Sequence, residues 1–500
     1  MSIRSSSPQH FIVVVVLLPY LSYLSSSSRE EPPPLPVEPL PTNAQLQWQA
    51  GEMVMFLHFG MNTFTDSEWG TGTVDPTVFY PNSLNATQWA EAAKDAGFSR
   101  MVLTAKHHDG FCLWPSKYTN YSVENSGIRD VVGDTAAAAR DQGIGFGLYL
   151  SPWDRHEECY GNSKEYNEFY LGQMSELLES YGEITEVFLD GAPGKNLTTT
   201  KYYFPCWFDF IHQLQPNAVI FSDSGPDSRW VGDEAGFAGP TCWSPFNISL
   251  DMIGNTNFDY STGGDPKGRN WVPAECDVSI RSGWFWHSDE HPKSAMELLD
   301  IYYKSIGRNC LLILNVPPNS SGLIADEDLQ VLHEFTKIRH SIFDINFAKD
   351  AVFSPSSTRR GGGFKISNVL QKDLRSYWAP AENQQQSSFW EIHVDLQKPM
   401  VFNVLHVGEP IQMGQRISKF RLDVLIEDEW HTILVGTTVG YKRLLLFPKV
   451  EARCIKFIIG ESRADYPLLS YLAIHLDEFS DLSVEDAGRT EIGLADSRRR

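Results

Sequence analysis

Between Asn43 and His340 the chain alternates short apolar runs with longer stretches whose apolar residues recur at helical spacing. That alternation is how repeated βα units read, and it constrains the fold to a parallel sheet covered by helices. The runs are 53–57, 100–105, 145–150, 186–189, 218–221, a poorly defined one near Thr241, 272–274 and 310–314. Helical patterns lie between them at 86–96, 134–142, 164–181, 202–214 and 293–306. Eight such strands predict a closed (β/α)8-like barrel of the TIM type, distorted around its irregular sixth and seventh units.

The polar residues are not scattered at random. His58, His107, His108, Tyr149, Asp190, Asp223 and Glu275 each fall at or just past the expected C-terminal end of a strand. In a βα barrel that edge is where catalytic side chains collect.

Five hundred residues exceed what one core usually organises, so a second domain is expected. From 351 to 477 helical patterns give way to short strands separated by Gly and Pro turns, including 390–396, 402–407, 420–426, 443–447, 455–459 and 472–476. This texture predicts a β-sandwich. Residues 29–42 contain six prolines and read as an extended linker. Residues 1–28 read as a signal peptide, because the apolar run from Phe11 to Leu24 is too short to span a bilayer. Sequons at Asn85, Asn120, Asn196, Asn247 and Asn319 agree with export. Residues 478–500 are charged and without period, as in a disordered tail. The barrel is expected over 43–345.

A net charge of −22 repels phosphate backbones and anionic lipid, which argues against nucleic acid or a membrane surface as partner. The seven cysteines show no paired zinc-ligand spacing, and their disulfide pairing cannot be deduced from order alone. No nucleophile elbow, dinucleotide fingerprint or phosphate loop is present, so no cofactor is implied.

Glycoside hydrolysis with retention requires two carboxyl groups, one to attack the anomeric carbon and one to protonate the leaving oxygen. Asp190 suits the first role: it ends an apolar strand and precedes Gly191, which is expected to leave room for a sugar. Glu234, Asp223 and Glu275 are alternatives for the second role, and chemistry alone does not separate them. Glu234 lies near Trp230, and an apolar neighbour helps keep a carboxyl protonated. His107 and His108 invite a metal reading, but adjacent strand residues point to opposite faces and no second ligand cluster accompanies them. They suit sugar hydroxyls better, with His58, Glu68 and an aromatic such as Trp69.

Five segments resemble the α-L-fucosidases of glycoside hydrolase family 29. They run from His58 to Glu68-Trp69-Gly70, from Lys106 to Trp114, from Leu148 to Asp154, from Val187 to Gly191 and from Trp271 to Glu275, in order. The resemblance implies that Asp190 is the nucleophile and that His58, Glu68, Trp69, His107, His108, Tyr149 and Trp284 line a fucose pocket. The stretch from Phe221 to Glu234 is similar to the subfamily preferring α-1,3 and α-1,4 linkages on Lewis-type glycans, which implies Glu234 as acid/base. A broader enzyme acting on α-1,2 linkages and a fucose-binding protein without turnover are the alternatives. The sandwich is similar to discoidin-like domains, and the layout resembles plant members exported to the apoplast.

Overall fold

The structure is a computed structural model that describes residues 30–191, 200–373, 375–382 and 389–482. The expected signal peptide, the Asn196 sequon and most of the expected tail lie outside the described residues.

Eight strands form a closed parallel barrel: β1 (Met53–Leu57), β2 (Arg100–Lys106), β3 (Gly145–Leu150), β4 (Glu186–Phe188), β5 (Val219–Ser222), β6 (Ser228–Trp230), β7 (Ala274–Ser279) and β8 (Cys310–Asn315). Each pairs with its sequence neighbour, and β8 closes on β1 with Met53 opposite Leu312. Helices at Ala86–Asp95, Val131–Gln142, Ser163–Ser180, Phe204–Leu214, Ala295–Lys304 and Asp326–Phe343 accompany the strands. The barrel's interior is filled by Trp48, Val54, Phe56, Val102, Tyr149, Phe188, Val219, Phe221, Leu311 and Ile313. It is therefore a packed core with an aromatic top rather than a pore.

Two strands differ from the sequence expectation. The sixth is Ser228–Trp230, not a run near Thr241. Residues around Thr241 are instead held by the C-terminal domain: the Cys242 amide donates to Thr438 Oγ1 at 2.9 Å and the Ser244 amide to Gln415 Oε1 at 2.7 Å. The seventh strand begins at Ala274 and runs to Ser279, whereas Trp271 pairs with Pro245 in a separate two-stranded sheet. Glu275 and Asp277 concealed this strand, because acidic residues on a fully buried strand break the apolar run that marks one.

The shift moves Glu275 away from the reacting edge. It is the second residue of β7, opposite Trp230 and Leu311, and is fully buried. There it meets Glu186, the first residue of β4, which accepts Trp48 Nε1–H at 3.0 Å and Arg100 Nη1–H at 3.3 Å. Ser228 Oγ donates to Glu275 Oε2 at 3.2 Å. Two carboxyl groups facing each other beside one guanidinium are neutralised by sharing a proton. Burial, then the Glu186 charge, push Glu275 well above the carboxylate range, so Glu275 carries that proton. Its raised folded value means that the protein loses stability as pH climbs above the ordinary glutamate value, until Glu275 ionises. Glu275→Gln presents an N–H to Glu186 with no such cost. The variant is expected to unfold at equal or higher temperature than the parent at pH 7, with the difference shrinking towards pH 4.5, as followed by thermal melts at both values.

The C-terminal domain holds six antiparallel strands: β9 (Val352–Pro355), β10 (Trp390–Gly408), β11 (Ile417–Ile426), β12 (Glu429–Gly436), β13 (Arg443–Ser462) and β14 (Tyr471–His475). Its long strands β10 and β13 run through several of the shorter segments expected from sequence, with bulges between Asp395 and Met400 and between Phe402 and Val404. Alternating residues such as Ile392, Val394, Phe420, Leu422, Ile455 and Phe457 form its separate core. The described part of the proline-rich segment is extended and docked on this domain: the Val37 amide donates to the Met413 carbonyl at 3.0 Å and Arg416 Nη2 to the Leu35 carbonyl at 2.6 Å. Cys276 and Cys310, on adjacent strands β7 and β8, form a disulfide, the pairing that residue order left open.

Candidate active site

A cavity of about 320 Å³ opens at the C-terminal edge of the barrel. Its floor is the aromatic top of the core, Phe56, Tyr149, Phe188 and Phe221, with the last two rings stacked at 3.8 Å. The nine residues that the family resemblance assigns to the site all line it: His58, Glu68, Trp69, His107, His108, Tyr149, Asp190, Glu234 and Trp284; Asp223 lines it as well, and Glu275 does not.

Asp190 lies two residues past the end of β4. Its Oδ2 accepts the Tyr149 hydroxyl at 3.0 Å and lies 3.6 Å from His108 Nε2. Burial and the Asp190 charge hold the Tyr149 phenol well above its usual range, so that hydrogen bond keeps its proton on tyrosine. Gly191 serves a different purpose from the one expected. A side chain there would meet the Asp223 carboxylate at 2.6 Å and the Gly254 amide at 2.7 Å, so the glycine admits the 223 and 254 loops rather than a sugar.

The adjacent histidines both reach the cavity because β2 ends at Lys106 and the chain bends after it, with their rings 4.1 Å apart. Their hydrogen bonds define complementary roles. Asn315 Nδ2 donates to Ser279 Oγ (2.9 Å) and to the Trp284 carbonyl (2.7 Å), so its Oδ1 must accept from His58 Nδ1 at 2.9 Å. Asn62 Nδ2 donates to the Glu68 carbonyl at 2.9 Å and to His107 Nδ1 at 3.3 Å. Neutral His58 is thereby left with an acceptor at Nε2, and neutral His107 with a donor at Nε2. Burial pushes His58 down to about 3 and His107 well below its ordinary value, so both stay neutral across the physiological range. An acceptor beside a donor is what a pair of sugar hydroxyls requires.

Glu68 is fixed from two sides. The Trp284 amide donates to its Oε2 at 3.0 Å, while His287 Nε2 lies 2.7 Å from its Oε1. His287 Nδ1 lies 2.6 Å from Asp66 Oδ1. With a carboxylate against each nitrogen, the ring carries both protons. Burial alone would lower His287, but the hydrogen bonds to Asp66 and Glu68, with Glu290 nearby, hold it above its ordinary value. The clamp is complete below the ordinary histidine pKa and is lost as pH rises through the elevated one. His287→Gln is expected to raise KM about tenfold at pH 6, with a smaller change in kcat, and to flatten the rise of KM towards alkaline pH in steady-state profiles.

Three further carboxyl groups, Glu234, Asp223 and Asp277, line the cavity with Asp190. Glu234 follows β6 in the loop that starts at Val231; burial raises its carboxyl, a hydrogen bond from Trp284 opposes this, and the Asp190, Glu68 and Asp233 charges raise it further. Asp223, after β5, accepts the Gly254 amide at 2.8 Å and Thr256 Oγ1–H at 3.1 Å. Burial raises it to about 6 against the opposing Gly254 bond, with Asp190 adding to the rise. Asp277 is the residue that sequence reasoning missed. It is buried on β7, accepts Trp230 Nε1–H at 2.6 Å, and is pushed well above the carboxylate range by burial, with the Glu234 charge adding to it. The signal was the period-two spacing from Glu275, once the strand is known to continue past it.

The α-L-fucosidase family profile matches residues 45–338, the barrel and the loops that build this cavity. The chain belongs to the α-L-fucosidase family. It is similar to α-L-fucosidase 1 of Arabidopsis thaliana, 58% identical over 461 residues that cover 90% of each protein. Among solved structures it superposes on SpGH29 with a TM-score of 0.84 at 37% identity, covering 88% of this chain and 99% of that one. It also superposes on a Ruminococcus gnavus GH29 fucosidase in complex with fucose, with a TM-score of 0.83 at 33% identity, covering 91% and 97%. The protein is thus a GH29 α-L-fucosidase, acting on fucose-containing substrates and built on a TIM-type barrel with an added antiparallel domain.

Proposed function

We propose that this fucosidase works by double displacement with retention and prefers terminal α-1,3- and α-1,4-linked fucose on Lewis-type glycans. The observation that carries the mechanism is one cavity with two carboxyl groups in contrasting surroundings. Asp190 is met by the Tyr149 hydroxyl and faces His108, while burial raises Glu234. Environments that differ in this way divide nucleophile from acid.

In the first step Asp190 attacks the anomeric carbon as Glu234 gives its proton to the departing glycosidic oxygen, leaving a fucosyl ester on Asp190. In the second step Glu234, now a carboxylate, takes a proton from water, whose oxygen attacks the anomeric carbon and releases Asp190. His58, His107, His108, Glu68 and Tyr149 hold the sugar's hydroxyls, and Trp69 and Trp284 pack on its apolar face. The linkage preference rests on the resemblance of the stretch from Phe221 to Glu234 to that subfamily. We further propose that the enzyme is an exported, apoplastic glycoprotein. The apolar N-terminal run supports export, as do the exposed sequons at Asn85 and Asn120.

The test is fucose release from a Lewis trisaccharide and from 2'-fucosyllactose, with the first-formed anomer followed by NMR. Release from the Lewis substrate alone, as the α anomer, agrees with the proposal. Release from the 2-linked substrate replaces the linkage assignment with the broader one, and a β anomer removes the double displacement.

A further inference from the structure

Glu234 borders two cavities. Beside the sugar cavity lies a second of about 560 Å³, lined by Glu234, Phe237, Lys293, Met296, Glu297 and Asp300 among others. It exists because the sixth unit is irregular. Between β6 and β7 the chain forms a 3-10 turn, Ile248–Leu250, a short α-helix, Phe258–Gly263, and a two-stranded sheet. The loop after β6 lies on the outer face of β7 so closely that a side chain at Gly236 (φ +77°) would meet Val278 Cγ1 at 2.8 Å. A groove stays open between that loop and the helix Ala295–Lys304.

The acid of a glycosidase touches the oxygen that leaves, so the saccharide attached to that oxygen must lie against the acid. From Glu234 one direction leads into the sugar cavity and the other into the groove. The groove also offers what a saccharide needs. Met296 is 41% exposed and Phe237 half-buried, apolar surfaces for the C–H faces of a ring. The exposed carboxylates of Glu297 and Asp300 stand beside them as hydroxyl acceptors. Its charge is selective: the carboxylates of Glu297 and Asp300 line it, whereas Lys293 Nζ is occupied by the Ser279 and Arg281 carbonyls at 2.7 and 3.2 Å. Lys304, over the Phe237 ring, is paired with Asp300 at 2.6 Å.

We infer that this groove is the acceptor subsite, in which Met296 and Phe237 form the platform for a neutral saccharide carrying the fucose, and from which acidic saccharides are disfavoured. The inference rests on Glu234 being the acid.

Met296→Ala tests it, since an exposed helical methionine can be truncated with little effect on folding. The variant is expected to raise KM for a Lewis trisaccharide about fivefold, leaving kcat, and all kinetics on 4-nitrophenyl fucoside, unchanged, because that small leaving group ends near Glu234. The parent should favour the neutral trisaccharide over its sulfated form, and Asp300→Lys should narrow that ratio. Equal effects of Met296→Ala on both substrates, or none on either, overturn the inference. Azide rescue of Glu234→Ala is measured alongside. Rescue with a silent Met296→Ala refutes the groove alone, whereas no rescue removes the acid assignment and the groove's role with it.

Discussion

Asp190→Asn is expected to lower kcat on 4-nitrophenyl fucoside by on the order of 10⁴-fold, with fucose affinity within about tenfold of the parent. The amide has the shape of the carboxylate, and its oxygen can still accept the Tyr149 hydroxyl, which bonds Asp190 Oδ2 at 3.0 Å. The hydroxyl-holding groups are untouched: His58 stays anchored on Asn315 and Glu68 on the Trp284 amide. What is lost is a nucleophile able to form the fucosyl ester, and among the described residues no other carboxylate of the cavity bonds the Tyr149 hydroxyl as Asp190 does. Calorimetric titration with fucose alongside steady-state kinetics checks both halves. Loss of binding together with loss of turnover would indicate a collapsed site instead.

Glu234→Ala should divide substrates by their leaving groups. General acid assistance contributes about 10² to 10⁴-fold, and it is needed most where the leaving oxygen is basic. Hydrolysis of an oligosaccharide should therefore fall by about that factor, while an aryl fucoside with a good leaving group keeps more of its first step. Its second step then lacks a base. Azide, which needs no deprotonation, should restore turnover and give a fucosyl azide. Asp223 and Asp277 line the same cavity, and each is raised by burial, so each could stand in as acid. Their partners argue otherwise. Asp223 is spanned by the Gly254 amide and Thr256 hydroxyl, and Asp277 is buried beneath the Trp230 indole. Glu234 alone of the three borders the groove into which a leaving group can extend.

The barrel was legible wherever its strands are apolar throughout. β1, β2, β3 and β8 fall within a residue of the runs seen in the sequence, because strands covered on both faces are written as continuous apolar segments. β7 was not, because Glu275 and Asp277 point into the barrel, one to share a proton with Glu186 and the other to face the cavity. β6, three residues containing a fully buried arginine, offers no hydrophobic signal; Arg229 is instead held by backbone carbonyls, among them Ser261 and Trp243 at 2.8 Å each. The cavity was legible through motif order, since the residues that line it close successive strands. Its supporting layer was not: Asn62, Asn315 and His287 act through contacts between segments far apart in sequence, and no local pattern announces them.

The central claim is that Asp190 becomes covalently fucosylated. The direct measurement is mass spectrometry of peptides from enzyme treated with a 2-fluoro fucosyl fluoride, whose electron-poor ring slows release of the ester more than its formation. One fucosyl-sized addition, on the peptide containing Asp190 and absent in Asp190→Asn, is the predicted result. A label on Asp223, Glu234 or Asp277, or inactivation with label retained in Asp190→Asn, would contradict it.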